Sequence, residues 1–251
     1  MSEVYQPEIP VSKIPPHTRK KKKTVRIRLG KFFFDLVLLF LTVTVVPVLI
    51  YGVTDPSTTA LMWIRWAEND YSEQYPRAIH NWVPIERISP HLVKAVIAGE
   101  DQKFFQHNGF DWEAIESAIK VNLTTDRTIG ASTISMQTSR NAFLWQGRNF
   151  LRKSLESYFT VLIENLWSKT RILEVYLNII EWGKGVYGCE AASRYYFNRS
   201  AQDLSPVEAA WLAAVLPNPR IWSIRRPQKY VEERQARILN TMHQTRLPRI
   251  S

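Results

Sequence analysis

The sequence predicts a mainly helical protein with one N-terminal transmembrane helix, and three observations carry that expectation. A long apolar run lies near the N-terminus. Capped, periodic helix signals recur through the rest of the chain. Strand-like alternation is weak throughout.

The apolar run is Phe32 to Val53, FFFDLVLLFLTVTVVPVLIYGV, about the length needed to cross a bilayer's hydrocarbon core. Its one ionisable residue, Asp35, sits close enough to one end to reach the headgroups, and Pro47 is tolerable in a spanning helix. A removable signal peptide would be shorter and would end in a small-residue cleavage site, so the run reads as an uncleaved anchor. Arg19, Lys20 to Lys23, Arg26, Arg28 and Lys31 crowd its N-terminal side. The positive-inside rule then leaves a basic tail, 1–31, in the cytoplasm, an anchor at 32–53, and an outer domain at 54–251. The same lysine run could form a nucleic-acid arm, but its place against a spanning segment makes topology the better explanation, and no nucleic-acid partner is expected.

The net charge is +10, and much of it belongs to that flank. The remainder is mildly basic, which suits an anionic membrane surface or a phosphorylated substrate. The single cysteine, Cys189, excludes an internal disulfide and offers no metal-site spacing. Asn122-Leu-Thr and Asn198-Arg-Ser match the glycosylation pattern, which short chains meet by chance.

Taken in order, the elements are as follows. Leu61, Trp63, Ile64 and Trp66 form an aromatic amphipathic patch that suits either the headgroup zone or packing of a first helix. Ser89-Pro90 is an N-cap and first-turn proline before HLVKAVIAGED. Asp111 can cap WEAIESAIKVNL, with Trp112, Ile115, Ala118 and Ile119 on one stripe. STISMQTSRNAFLW starts on capping residues, RKSLESYFTVLIENLWSK carries apolar residues at helical spacing, and TRILEVYLNII follows. Ser205-Pro206-Val207-Glu208 is a complete capping box, and YVEERQARILNTM closes the chain as a polar helix. Gly183-Lys-Gly185-Val-Tyr-Gly188 formally matches a dinucleotide fingerprint, but it follows a helix with no strand–helix–strand unit around it. It reads as a mobile or tightly turned loop.

Chemistry concentrates in three places. In GEDQKFFQHNGFDW, Glu100 falls at the end of a helix beside Phe104 and Phe105. The helix terminus and burial would both raise its pKa and make it a better proton acceptor. The plainer alternatives are a solvated helix end for Glu100-Asp101, a scaffold role for His107, and a turn at Gly109. In RKSLE, Arg152, Lys153 and Glu156 share one helical face. That is either an exposed ion-pair ladder or a site for a phosphorylated leaving group, with the carboxylate positioning a cation. Two such acids would also serve a glycosidase. In GASTISMQTSRN, Ser132, Thr133, Gln137 and Asn141 supply the neutral donors and acceptors of a sugar-binding wall.

The order of these segments is more specific than any one of them. Glu100-Asp101-x-x-Phe104-Phe105-x-His107-x-Gly109-x-Asp111 is followed by Gly130-x-Ser132-Thr133-Ile134 with Gln137 and Asn141. Then come Arg152-Lys153-x-x-Glu156, then Ser168-Lys169-x-Arg171-Ile172-Leu173-Glu174-x-Tyr176-Leu177-Asn178, then Gly188-x-x-x-Ala192 with Tyr196-Phe197. From about Pro84 to Pro219 this resembles the peptidoglycan glycosyltransferases, which polymerise lipid II into glycan strands. Many members continue into a penicillin-binding transpeptidase domain, so this chain resembles the monofunctional type.

The resemblance implies a lysozyme-like, mostly helical fold in the bacterial inner membrane with the catalytic domain in the periplasm. It implies Glu100 as general base toward the 4-hydroxyl of the acceptor sugar, and Glu156 as a catalytic aid at the diphosphate. Asp101, Ser132, Thr133, Gln137, Arg140, Arg148, Arg152 and Lys153 would lie toward substrate, with Asp101 chiefly a hydrogen-bonding support of its turn. Phe104, His107, Gly109 and Asn141 would support the site. No tightly bound cofactor is implied, while a divalent cation, Mg or Mn, is allowed at Glu156. Partners implied are lipid II, the nascent glycan strand and the membrane, with cell-division or penicillin-binding proteins as further classes.

Three positions depart from the family pattern. Met136 stands where a glutamine is usual and either costs a polar contact or faces the core. Arg140 replaces a lysine, and Ser117 replaces a basic residue. A lytic hydrolase of similar fold and a non-catalytic membrane scaffold are the competing classes. The cationic RKxxE segment speaks against the first, and the presence of both glutamates against the second.

Overall fold

Helix starts along this chain are set by side chains that supply the hydrogen-bond acceptors a first turn lacks. The computed structural model describes residues 21–69, 78–125, 129–147 and 149–248, with side chains from residue 30 onward. The far N-terminal tail and Arg148 therefore lie outside the described residues. Thr59, Ser89, Asp111, Thr133, Asn149, Ser168 and Ser205 each accept from a backbone N–H in the first turn of the helix that follows. Ser205 and Glu208 complete the reciprocal capping box.

The chain divides into two compact units, Met1–Thr44 and Val45–Ser251. Helix α1, Lys21–Val53, begins earlier than the expected anchor, because helical propensity continues through the basic residues. Its segment Gly30–Val53 is long and apolar enough to cross a membrane, spanning about 36 Å at the helical rise. Phe32 to Leu41 expose large apolar side chains, as a lipid-facing helix does.

The last two turns of α1 belong to the second unit. Val48 is buried in its core, Trp167 Nε1 donates to the Val48 carbonyl at 2.8 Å, and Arg171 Nη2 donates to the Tyr51 carbonyl at 3.0 Å. The aromatic patch forms α2, Ala60–Glu68. Leu61 and Met62 are buried, while Trp63 and Trp66 face outward edge to face.

The remaining helices are α3 (Pro90–Glu100), α4 (Trp112–Thr124), α5 (Ile134–Phe143), α6 (Phe150–Leu166), α7 (Lys169–Ile179), α8 (Cys189–Phe197), α9 (Pro206–Val215) and α10 (Lys229–Thr241). They pack as two groups, α3 with α9 and α10, and α5 with α6 and α7. The most buried large side chains, among them Trp182, Tyr176, Tyr187 and Phe104, join the groups into one core. Cys189 is buried there, and burial pushes its thiol far up, which leaves it inert.

Two features lay beyond the sequence reading. The four-residue stripe lies on α4, capped by Asp111, but it is not a core face: Ala118 is buried, whereas Trp112 is 71% and Ile119 54% exposed. The periodicity is real, yet α4 packs only lightly on the other helices, so nothing removes that face from water. A small sheet also escaped the sequence reading. Strands β1 (Ile79–His80), β2 (Glu181–Gly183) and β3 (Val186–Tyr187) lie in the order β1-β3-β2, β1 parallel and β2 antiparallel to β3. Strands of two or three residues are too short to show alternation, and β2 and β3 are buried throughout. The Gly183–Gly188 run is thus a tight hairpin inside this sheet, and nothing in it resembles a nucleotide fold.

Candidate active site

The first acidic segment is built around the end of α3. Glu100 is the last residue of that helix and Asp101 its C-cap. Asp101 is buried; both its oxygens lie 3.0 Å from His107 Nε2, and Oδ2 also accepts from Ile134 N at 3.0 Å. His107 Nδ1 accepts from Gly109 N at 3.1 Å, so the ring proton sits on Nε2, directed at Asp101. Asp101 thereby ties the turn after α3 to the start of α5. Gly109 has φ +92°, and a Cβ there would come within 2.8 Å of Thr160 Cγ2. Phe104 is fully buried, with Lys169 Nζ 4.6 Å above its ring.

Held on this turn, the Glu100 carboxylate is bracketed from two sides. Gln137 Nε2, on α5, donates to Oε2 at 2.9 Å, and Arg234 Nη2, on α10, donates to Oε1 at 2.7 Å. Burial raises the Glu100 pKa, and the charges of Arg234 and Arg140 with the two hydrogen bonds hold that rise in check. Gln137 Oε1 accepts from the Tyr176 hydroxyl at 3.2 Å, which fixes the amide's orientation. Tyr176 is wholly buried, and its phenol is pushed well above its usual value.

The second acid lies in the second turn of α6. Glu156 is 1% exposed, with Oε2 paired to Arg152 Nη1 and Oε1 to Lys153 Nζ at 2.5 Å. Both oxygens are spent on cations of the chain. Among the described residues, no group of three or more His, Cys, Asp or Glu side chains converges.

A cavity of about 340 Å³ is lined by Gln137, the partner of Glu100, by Arg152, the partner of Glu156, by Arg140, Asn141 and Tyr176, and by Arg65, Glu181 and Arg220. Four guanidiniums surround it. Arg152 is paired to Glu156, Arg65 to Glu181 at 3.1 Å, and Arg220 to Glu68 at 3.0 Å. Arg140 makes no carboxylate ion pair among the described residues; its Nε lies 3.5 Å from Asn141 Oδ1. Burial lowers its pKa and the nearby Glu156 charge opposes that, so the site holds a desolvated cation facing open space.

The sugar-wall residues divide. Gln137 and Asn141 reach the cavity. Thr133 is the buried cap of α5, donating to the Gly109 carbonyl at 2.6 Å, and Ser132 is half-buried in the preceding loop. Met136 is 4% exposed, so it packs inward while its neighbour Gln137 faces Glu100. Ser117 is exposed on α4. Several quoted positions prove to be scaffold. Asn178 exchanges two 2.9 Å hydrogen bonds with the backbone of Val83, and Arg171 bonds Glu174 at 2.7 Å and Asp55 at 3.1 Å.

Sequence reasoning missed Arg234, Arg65, Glu181 and Arg220. Each lies in a segment with no local signal, and only packing of distant elements brings them in.

The chain matches the family model described as Transglycosylase over residues 68–243. It is 52% identical over 212 residues to a "Biosynthetic peptidoglycan transglycosylase" of Bdellovibrio bacteriovorus, covering 84% of this chain and 85% of that one. It is 50% identical over 216 residues to the protein so named in Pseudomonas fluorescens, covering 86% and 90%. A relative of the same name in Bacteroides thetaiotaomicron is 46% identical over 209 residues, covering 83% and 84%.

Proposed function

Because this chain belongs to the transglycosylase family, we infer that its cavity is where lipid II is polymerised into peptidoglycan glycan strands. The protein is a peptidoglycan glycosyltransferase with a lysozyme-like helical domain. One observation supports the assignment of its parts: the Glu100 carboxylate is bonded to Gln137, and Gln137 lines a single cavity together with Arg140, a guanidinium that makes no carboxylate ion pair among the described residues.

Glu100 is the general base. Its raised pKa improves it as a proton acceptor near neutral pH, while Gln137 and Arg234 hold it in one orientation. It takes the proton of the acceptor's 4-hydroxyl as that oxygen attacks the anomeric carbon of the donor. The new bond forms on the face opposite the departing diphosphate, so an α-linked donor becomes a β-1,4 link and undecaprenyl diphosphate leaves. Negative charge then grows on phosphate oxygens, where fixed cations lower the barrier most. Arg140 and Arg152 line that part of the cavity, and Lys153 is held beside them by Glu156. Glu156 acts by orienting these cations. A lysozyme-like hydrolase acting on neutral glycan has no use for four arginines around its cavity, which favours the transferase.

The one helix among the described residues that is long and apolar enough to cross a membrane fits a single-pass anchor. Its orientation follows from the basic residues before it, with the N-terminus inside and the catalytic domain in the periplasm. Other cell-wall or cell-division proteins are the partner class this arrangement suits.

The test is incubation of detergent-purified protein with labelled lipid II, with gel separation of products. A muramidase-sensitive ladder that Glu100→Gln abolishes is expected. Sugar fragments released from preformed glycan would make the protein a hydrolase, and no product from either substrate would make it a scaffold.

A further inference from the structure

We propose that Arg234 is a positioning residue that clips the Glu100 carboxylate to the end of α3 from the C-terminal helix. The proposal rests on the reading of Glu100 as general base.

One nitrogen makes the clip. Arg234 Nη2 donates to the Gly99 carbonyl at 2.8 Å and to Glu100 Oε1 at 2.7 Å. The Gly99 carbonyl is among the last of α3, where acceptors lack intrahelical donors and a cation is favoured. The guanidinium therefore satisfies the helix terminus and the base at once. Its reach depends on close packing of α10 on α3: Val231, Gln235 and Ile238 are the buried face of α10. A Cβ on Gly99 would meet Ile238 Cδ1 at 3.0 Å, so only glycine lets the two helices approach without adjustment there.

Fixing Oε1 leaves the side chain one rotamer, with Oε2 turned toward Gln137 and the cavity. Two further helices bring titratable groups toward Glu100: α5 the Arg140 cation and α7 the Tyr176 phenol, which stays neutral. Of the charges around Glu100, Arg234 most strongly opposes the burial that favours the protonated acid. Without it the base is both looser and more often protonated.

The test compares Arg234→Gln and Arg234→Lys with the full-length enzyme in detergent, measuring kcat, KM for lipid II, the pH profile of kcat/KM and the thermal midpoint. Loss of a charge-assisted hydrogen bond predicts a fall in kcat of about 10- to 100-fold for Arg234→Gln, with KM little changed. Its acid limb moves to higher pH, because the opposing charge is gone. Arg234→Lys keeps the acid limb in place and regains part of kcat. A folded Arg234→Gln with normal kcat and an unmoved acid limb would overturn the proposal. If that variant melts below the assay temperature, Arg234→Lys decides, and full kcat there would overturn the clip. Glu100→Gln run in parallel separates the two ideas. Turnover in it removes Glu100 as base, whereas a dead Glu100→Gln beside a normal Arg234→Gln removes only the role of Arg234.

Discussion

Gln137 Nε2 donates to Glu100 Oε2 at 2.9 Å while its own Oε1 accepts from the buried Tyr176 hydroxyl at 3.2 Å. The amide can point its NH2 at the base only because Tyr176 occupies its carbonyl. Removing the amide leaves one carboxylate oxygen without its donor. Gln137→Ala is expected to lower kcat by about 10-fold or more, since a hydrogen bond to a charged group is worth roughly 1.5–3 kcal/mol. Tyr176→Phe frees the amide to flip and should cost less. Steady-state polymerisation rates of both variants test the order, and a larger loss in Tyr176→Phe would contradict the relay.

The pH dependence follows from the raised pKa of Glu100. With Glu100 as the proposed base, catalysis needs its ionised form, so the acid limb of kcat/KM should lie above the ordinary carboxylate range. Stability runs the other way. The folded protein holds this proton more tightly than the unfolded chain, so stability from Glu100 is full below the unfolded pKa and falls as pH rises through the folded one. Glu100→Gln, which resembles the protonated acid, should be inactive yet melt at or above the wild-type temperature at pH 7. A clearly lower melting point would mean that the ionised form is what the fold prefers.

Glu156 is buried between Arg152 and Lys153. Glu156→Gln removes the negative charge and leaves the nearly buried Arg152 uncompensated, a mechanism that typically costs about 3–5 kcal/mol. Reduced turnover should therefore come with a lower denaturation midpoint. An inactive variant of wild-type stability would instead assign Glu156 a direct chemical role.

Met136 is buried, so a glutamine in its place would bury an amide. Met136→Gln is expected to lose about 1–3 kcal/mol of stability with kcat within about two-fold of wild type. A rise in kcat would show the new amide reaching the cavity beside Gln137.

At Gly109 the backbone is left-handed and a Cβ would press on Thr160 Cγ2 at 2.8 Å. Gly109→Ala should cost about 1–3 kcal/mol from the backbone alone. It should also loosen the Asp101–His107 turn that carries Glu100, so stability and kcat fall together. Unchanged melting would mean that α6 yields at Thr160.

What the sequence determined by itself was local. The helix starts were legible because Ser89, Asp111, Thr133, Ser168 and Ser205 cap the turns that directly follow them. The apolar span was legible from length and composition alone. The candidate-site segments were legible in the order of motifs, each of which is itself a short stretch. Tertiary structure decided what depends on distant elements. It sent Thr133 into a cap and Gln137 to the base, although both lie in one polar segment. It left the α4 stripe in water, because a periodic face is buried only if another element arrives to cover it. It brought Arg234 to Glu100 across 134 residues, out of a helix whose sequence reads as merely polar. A guanidinium's partner is set by which helices pack against each other, and no residue near it in the chain records that.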